Sequence, residues 1–139
     1  GEADDAFAGW ACVWLVGDAH HRIVRWGPPT GHTVFEEAKS SDIKQIVSSA
    51  YHTAILKRNG EVIFRQDRPD AEHHDTFQRL PPIKSITRGW ANFLLLDQEG
   101  HVWSIGANKH GQCGVGTTKN LESCVITCLI VRCLLKTRN

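Results

Sequence analysis

Eight histidines and five cysteines are the residues of this 139-residue chain best suited to chemistry. The densest cluster is Asp70-Ala71-Glu72-His73-His74-Asp75, which offers oxygen and nitrogen donors in one stretch, and His20-His21 is a second pair. Neighbouring residues on an extended chain point to opposite sides, however, and neither a His-Glu-x-x-His helix nor paired Cys-x-x-Cys knuckles occur. The stretch therefore reads as a solvated loop between strands, and no metal ligand is assigned. His52 reads as a packing and hydrogen-bonding residue rather than a base. Cys113 sits in a glycine run and no Gly-x-Ser-x-Gly elbow is present, so no catalytic residue is assigned and no enzyme is expected. Gly106, Gly111, Gly114 and Gly116 suggest a phosphate cradle, but Gln112-Cys113 stands where that loop needs Lys and then Ser or Thr. No cofactor is expected.

Composition narrows the field further. With 41% apolar and 22% charged residues the chain is ordinary globular material of about one domain. Sixteen Lys plus Arg face fifteen Asp plus Glu, without a basic block, so nucleic acid is not the expected main ligand. Cys12, Cys113, Cys124, Cys128 and Cys133 are odd in number and irregularly spaced, which argues against a disulfide framework. The longest apolar stretch, residues 125–135, contains Thr127 and Arg132 and is about half of what a membrane span needs. The acidic start lacks the features of a secretory signal, so the cytosol or nucleus is the expected compartment. The lack of Met leads to the expectation of a fragment or processed product.

What would position any functional residue is a repeat. Ile43-Lys44-Gln45-Ile46 recurs as Ile83-Lys84-Ser85-Ile86, and Gly60-Glu61-Val62 as Gly100-His101-Val102, both 40 residues on. Gly9-Trp10 precedes Gly89-Trp90 by 80, with Ser49-Ala50 between, so three units are present. Trp26-Gly27 corresponds to Ile105-Gly106 after a one-residue slip that a longer hairpin at residues 17–21 absorbs. Within a unit, short β-rich runs alternate with turns such as Lys57-Arg58-Asn59-Gly60 and Asp97-Gln98-Glu99-Gly100, and no window shows a helical apolar period. Pro28-Pro29 and Pro81-Pro82 fall between units, where a missing amide hydrogen harms no central ladder. Short antiparallel strands in repeats of about 40 residues predict propeller blades. The expected organisation is a lead-in at 1–8, blade-like repeats at 9–48, 49–88 and 89–120, and an atypical Cys-containing tail at 121–139. That tail could be the first strand of another blade, an amphipathic cap or unrelated sequence.

The third unit carries a resemblance. Ile83-Lys84-Ser85-Ile86-Thr87-Arg88-Gly89-Trp90, Leu94-Leu95-Leu96 and Gly100-His101-Val102-Trp103-Ser104-Ile105-Gly106-Ala107-Asn108-Lys109-His110-Gly111-Gln112-Cys113-Gly114-Val115-Gly116-Thr117 resembles one full repeat of the regulator of chromosome condensation repeat family. Ile105 stands in place of its Trp and Cys113 in place of its Leu. The second unit keeps His52-Thr53 and Asn59-Gly60, but Arg65-Gln66-Asp67 replaces Trp-Gly-x and the closing glycine cluster is missing. Within the family, Gly89-Trp90 and His110-Gly111-Gln112-Cys113-Gly114 are similar to the secretion-regulating guanine nucleotide exchange factor and the fungal α-tubulin suppressor propeller.

The resemblance implies an all-β partial propeller, about three antiparallel blades of a seven-bladed ring, with missing blades or partner chains completing it. It implies a non-catalytic protein-protein interaction module, with guanine nucleotide exchange on a small GTPase as the finer expectation. The alternative is a scaffold partner in a tRNA or diphthamide modification complex. Ultraviolet-B receptors of the family use Trp and Arg clusters, and Arg88 beside Trp90 is the one hint of that here. Trp10, Trp14, Trp26, Trp90 and Trp103 instead fall at repeat positions where large side chains are expected to fill blade cores.

Overall fold

The structure, a computed structural model, describes residues 2–9, 12–28, 31–49, 52–66, 75–77, 80–106 and 121–126, of which residue 66 and residues 75–77 and 121–126 are described by backbone alone. The chain is all-β, as its sequence predicts. Strands β1 (Asp5–Ala8), β2 (Val13–Val16), β3 (Ile23–Gly27) and β4 (Gly31–Phe35) form the first antiparallel sheet in chain order. A single 3-10 turn at Ser40–Asp42 leads to the second sheet, β5 (Ile43–Ser48), β6 (His52–Lys57), β7 (Val62–Gln66) and β8 (Asp75–Phe77). The third is β9 (Ile83–Arg88), β10 (Asn92–Asp97), β11 (Val102–Gly106) and β12 (Leu121–Ile126). Residues 121–126 thus close the third sheet by pairing with β11, Trp103 opposite Ile126 and Ser104 opposite Val125.

Residues at the 40-residue repeat take equivalent places. Leu56 pairs with Val62 in the second sheet and Leu96 with Val102 in the third. In the first, Val16 pairs with Ile23, so the slip is absorbed in the β2–β3 turn. There His21 holds a positive φ of 58° and donates its N–H to the Asp18 carbonyl at 2.8 Å.

The sheets stack face to face through two apolar layers. Trp14, Val16, Ile23 and Phe35 of the first sheet meet Ile43, Ile46, Ile55 and Ile63 of the second. Ala54, Leu56, Val62 and Phe64 of the second meet Ile83, Ile86, Phe93 and Leu95 of the third. Alternation along each strand sends successive side chains to opposite layers, which is why Thr53, Ala54, Ile55 and Leu56 are all buried. Each fully buried aliphatic side chain contributes about 2 kcal/mol.

Strands β1, β5 and β9 lie side by side. The β1–β2 turn at Gly9 abuts Ser48 at the end of β5, whereas the β6–β7 turn at Gly60 abuts Pro82 and Ile83 at the start of β9. Equivalent turns therefore gather on the same side. One face of the stack carries the turns around Gly9, Ser49 and Gly89; the other carries the hairpins around Gly17, Gly60 and Gly100.

Candidate functional site

The two faces differ in the side chains they carry. On the hairpin face the polar groups are consumed locally. Asp18 accepts the His20 and Arg22 N–H groups at 3.0 and 2.9 Å and the Arg22 guanidinium at 2.7 and 2.9 Å. Those Arg22 bonds hold its carboxyl well below the usual carboxylate range. In the third sheet Asp97, 1% exposed, accepts the Glu99 and His101 N–H groups at 2.9 Å each and the Trp103 indole N–H at 3.1 Å. Asn59 does part of this in the second, accepting the Glu61 N–H at 3.0 Å. These are side chains that build turns. A groove of about 590 Å³ opens on this side, between His21, Arg22, Val34, Phe35, Lys39 and Ser41.

The other face presents aromatic surface. Trp90, in the β9–β10 turn beside the exposed Arg88, is 60% exposed. Gly89 donates its N–H to the Asn92 carbonyl at 2.9 Å, which closes that turn. In the first sheet Val13, Trp26 and His32 form a cross-strand row toward the same end but on a stacking side of the sheet, at the position from which Arg65 of the second sheet meets the first, with Trp26 tilted over His32 at 4.8 Å between ring centroids. Arg25 supports this end by donating to the carbonyls of Gly27 and Pro28 at 3.4 and 3.0 Å. Exposed indoles backed by ordered turns suit a contact with another protein, because such side chains bury much area at little entropic cost.

The expectation that tryptophans fill blade cores needs correction. Trp14 is fully buried and Trp103 half-buried, whereas Trp26 and Trp90 face solvent. Trp26 holds the position taken by Arg65 and Ile105 in the other sheets, and those two are covered by the sheet before them. No described sheet precedes the first. Trp10 lies outside the described residues.

The residues weighed for chemistry are dispersed. His20 and His21 serve the Asp18 turn through their backbones. His52 opens β6, exposed, and its carbonyl accepts the Ser49 N–H at 2.8 Å. Asp70, Glu72, His73 and His74 lie outside the described residues, as do Cys113, Cys128, Cys133, Gly111, Gly114 and Gly116; Cys124 lies on β12 and Gly106 ends β11. Among the described residues no group of three or more His, Cys, Asp or Glu side chains is placed to hold a metal, and no helix is long and apolar enough to cross a membrane. Sequence reasoning missed Arg65, which is 5% exposed with its guanidinium carbon 5.9 Å from the Trp14 ring centroid and 5.8 Å from that of Phe35. The signal was alternation, since Arg65 shares a face with Ile63.

Known proteins agree with this architecture. The regulator of chromosome condensation (RCC1) repeat matches residues 99–126. An RCC1 domain-containing protein of Dictyostelium discoideum is 44% identical over 45 residues, 32% of this chain and 9% of that protein. Among solved structures, Prp20p from Saccharomyces cerevisiae, described with its binding to Gsp1p and histones, superposes with a TM-score of 0.76 at 15% identity over 89% of this chain and 38% of its own. Yeast RCC1 (Prp20) bound to Kap60 gives 0.73 at 14% identity over 89% and 36%, and human WBSCR16 gives 0.67 at 15% over 84% and 37%. The chain thus spans well under half of the proteins it matches. The sequence repeat, the match of the RCC1 repeat at the third unit and the stack of four-stranded sheets together make this chain similar to RCC1 repeat propellers in fold, with one repeat of that family matched at residues 99–126.

Proposed function

We propose that this chain is a non-catalytic protein-binding segment of a propeller, and that its partner docks on the face bearing the Gly9, Ser49 and Gly89 turns. The observation that carries this is Trp90, a large indole 60% exposed on a closed turn next to the exposed Arg88. The finer form of the reading is regulation of a small GTPase by nucleotide exchange. It is supported by the likeness to Prp20p, which was described with its binding to Gsp1p and histones. In that role the propeller does no covalent chemistry. A cytosolic or nuclear setting goes with it.

The test is affinity purification of the endogenous protein and of its Trp90→Ala variant, each with and without added guanine nucleotide. Loss of an interface indole costs about 2 kcal/mol, or roughly thirtyfold in affinity. The expected result is a defined protein partner that the variant no longer retains; release of that partner by nucleotide supports exchange. The same partners on both baits would remove this face from consideration. Partners that modify RNA or diphthamide, with no nucleotide effect, would replace exchange by the scaffold reading.

A further inference from the structure

We propose that the seam between the first and second sheets binds a small monovalent anion of halide size on the buried N–H donors of Arg25 and Trp14. Arg25 on β3 and Trp14 on β2 are cross-strand partners. Both lie on the face of the first sheet that packs on the second, since Trp14 belongs to that apolar layer and Arg25 alternates with Ile23, which does too. Arg25 is 7% exposed and Trp14 0%. Two nitrogens of Arg25 donate to the Gly27 and Pro28 carbonyls, but its Nε–H and the Trp14 indole Nε1–H meet no acceptor. Buried donors are seldom left in that state.

Charge decides what kind of acceptor belongs there. A guanidinium does not give up its proton, so burial cannot neutralise it as it can a lysine. Among the described residues Arg25 bonds only to neutral carbonyls, and no carboxylate pairs with it. A second guanidinium, that of Arg65 on β7, enters the same seam with its carbon 5.9 Å from the Trp14 ring centroid and 5.8 Å from that of Phe35. Positive groups held between aromatic walls, away from water, attract an anion strongly. A water molecule would accept the two hydrogen bonds but bring no charge. The ion must also be small, because Trp14 is wholly covered and the two sheets pack against each other around it. Through the Gly27 and Pro28 carbonyls that Arg25 holds, the ion would steady the β3–β4 turn.

Thermal unfolding of the 139-residue chain against sodium chloride concentration, with ionic strength held constant by sodium methanesulfonate, tests this, and bromide in crystals locates the ion by anomalous scattering. The melting temperature of the wild type is expected to rise with chloride and then level off, and bromide to lie beside Arg25 Nε and Trp14 Nε1. Trp14→Phe removes the indole donor and should weaken the apparent chloride affinity about tenfold. Arg25→Met should abolish the chloride response. If Arg25→Met does not fold, Trp14→Phe and the bromide position carry the test. Stability that follows ionic strength alone, a folded Arg25→Met protein that still responds to chloride, or a Trp14→Phe affinity equal to wild type overturns the proposal. So does a water molecule at the two donors in bromide, or bromide bound in crystals of a chain indifferent to chloride in solution, which would be an adventitious ion only.

Discussion

The side-chain amide of Gln45 on β5 clasps the backbone of Ile86 on β9: Nε2 donates to the Ile86 carbonyl at 2.9 Å, and the Ile86 N–H donates to Oε1 at 3.1 Å. A side chain thereby joins two strands, β5 and β9, that are not ladder partners. The repeat puts Ser85 at the same place in the third sheet, and a serine is too short to reach across such a gap. Gln45→Leu keeps the volume but leaves the Ile86 N–H and carbonyl without these partners, which costs about 1–3 kcal/mol. The expected outcome is a lower urea midpoint with an unchanged denaturant slope. A variant as stable as wild type would show that water or a neighbour serves the Ile86 backbone equally well.

Acid should loosen the third blade through Asp97. Burial alone would raise its pKa, but hydrogen bonds from the Trp103 indole and from the His101 and Glu99 N–H groups outweigh burial and lower it. A carboxyl with a lower pKa when folded stabilises the fold fully above the unfolded value of about 3.9, and that stability is lost as pH falls through the folded value. The melting temperature should therefore fall as pH drops below about 4. In Asp97→Asn the acid-dependent part of that fall should shrink, alongside a lower melting temperature at neutral pH. Equal acid sensitivity in both proteins would exclude Asp97 as its source.

Legibility in the sequence followed periodicity. The offset of 40 between Ile43-Lys44 and Ile83-Lys84 was enough for three antiparallel units, because each blade reuses the same inward positions. Residues 121–126 were harder. Their place is set by pairing with β11 across a long connection, and no local pattern encodes a partner that far away. The exposed Trp26 was unreadable for a related reason: an indole at a strand position is core or surface according to whether a sheet stands in front of it, while Trp90 lies in the turn between β9 and β10, outside the strands. Whether Trp26 meets solvent thus depends on the stacking, while the turn-building Asp97-Gln98-Glu99-Gly100 could be read directly.

Arg65 takes the place of Ile105 in the next sheet, yet it is buried between the first and second sheets with its guanidinium near Trp14 and Phe35. The planar cation suits those ring faces, and a lysine ammonium does not reproduce the stacking. Arg65→Lys is expected to cost about 1–2 kcal/mol and to shift the emission of the buried Trp14. Arg65→Met, which keeps length and removes the charge that must be buried, should cost less than Arg65→Lys. Denaturant unfolding followed by tryptophan fluorescence reads both. The reverse order would mean that the charge, rather than the stacked shape, is what the site uses.

Gly60 and Gly100 end equivalent hairpins with nearly the same backbone, φ 92° and 89°, but their surroundings differ. A Cβ on Gly60 would lie 2.7 Å from the Pro82 Cβ and 2.8 Å from its Cα, while one on Gly100 would meet nothing within 4 Å. Gly60 also accepts the Ile83 N–H on its carbonyl at 2.9 Å, tying this hairpin to the start of β9. Gly100→Ala should therefore cost only the backbone penalty of a positive φ, about 1 kcal/mol. Gly60→Ala adds a clash with backbone that cannot rotate away, so its cost should exceed that by about 1–3 kcal/mol. The difference between the two variants in urea unfolding isolates the contact between the second blade and the strand that opens the third. Equal losses would mean that Pro82 yields, and that the seam between these blades is softer than the close approach at Gly60 implies.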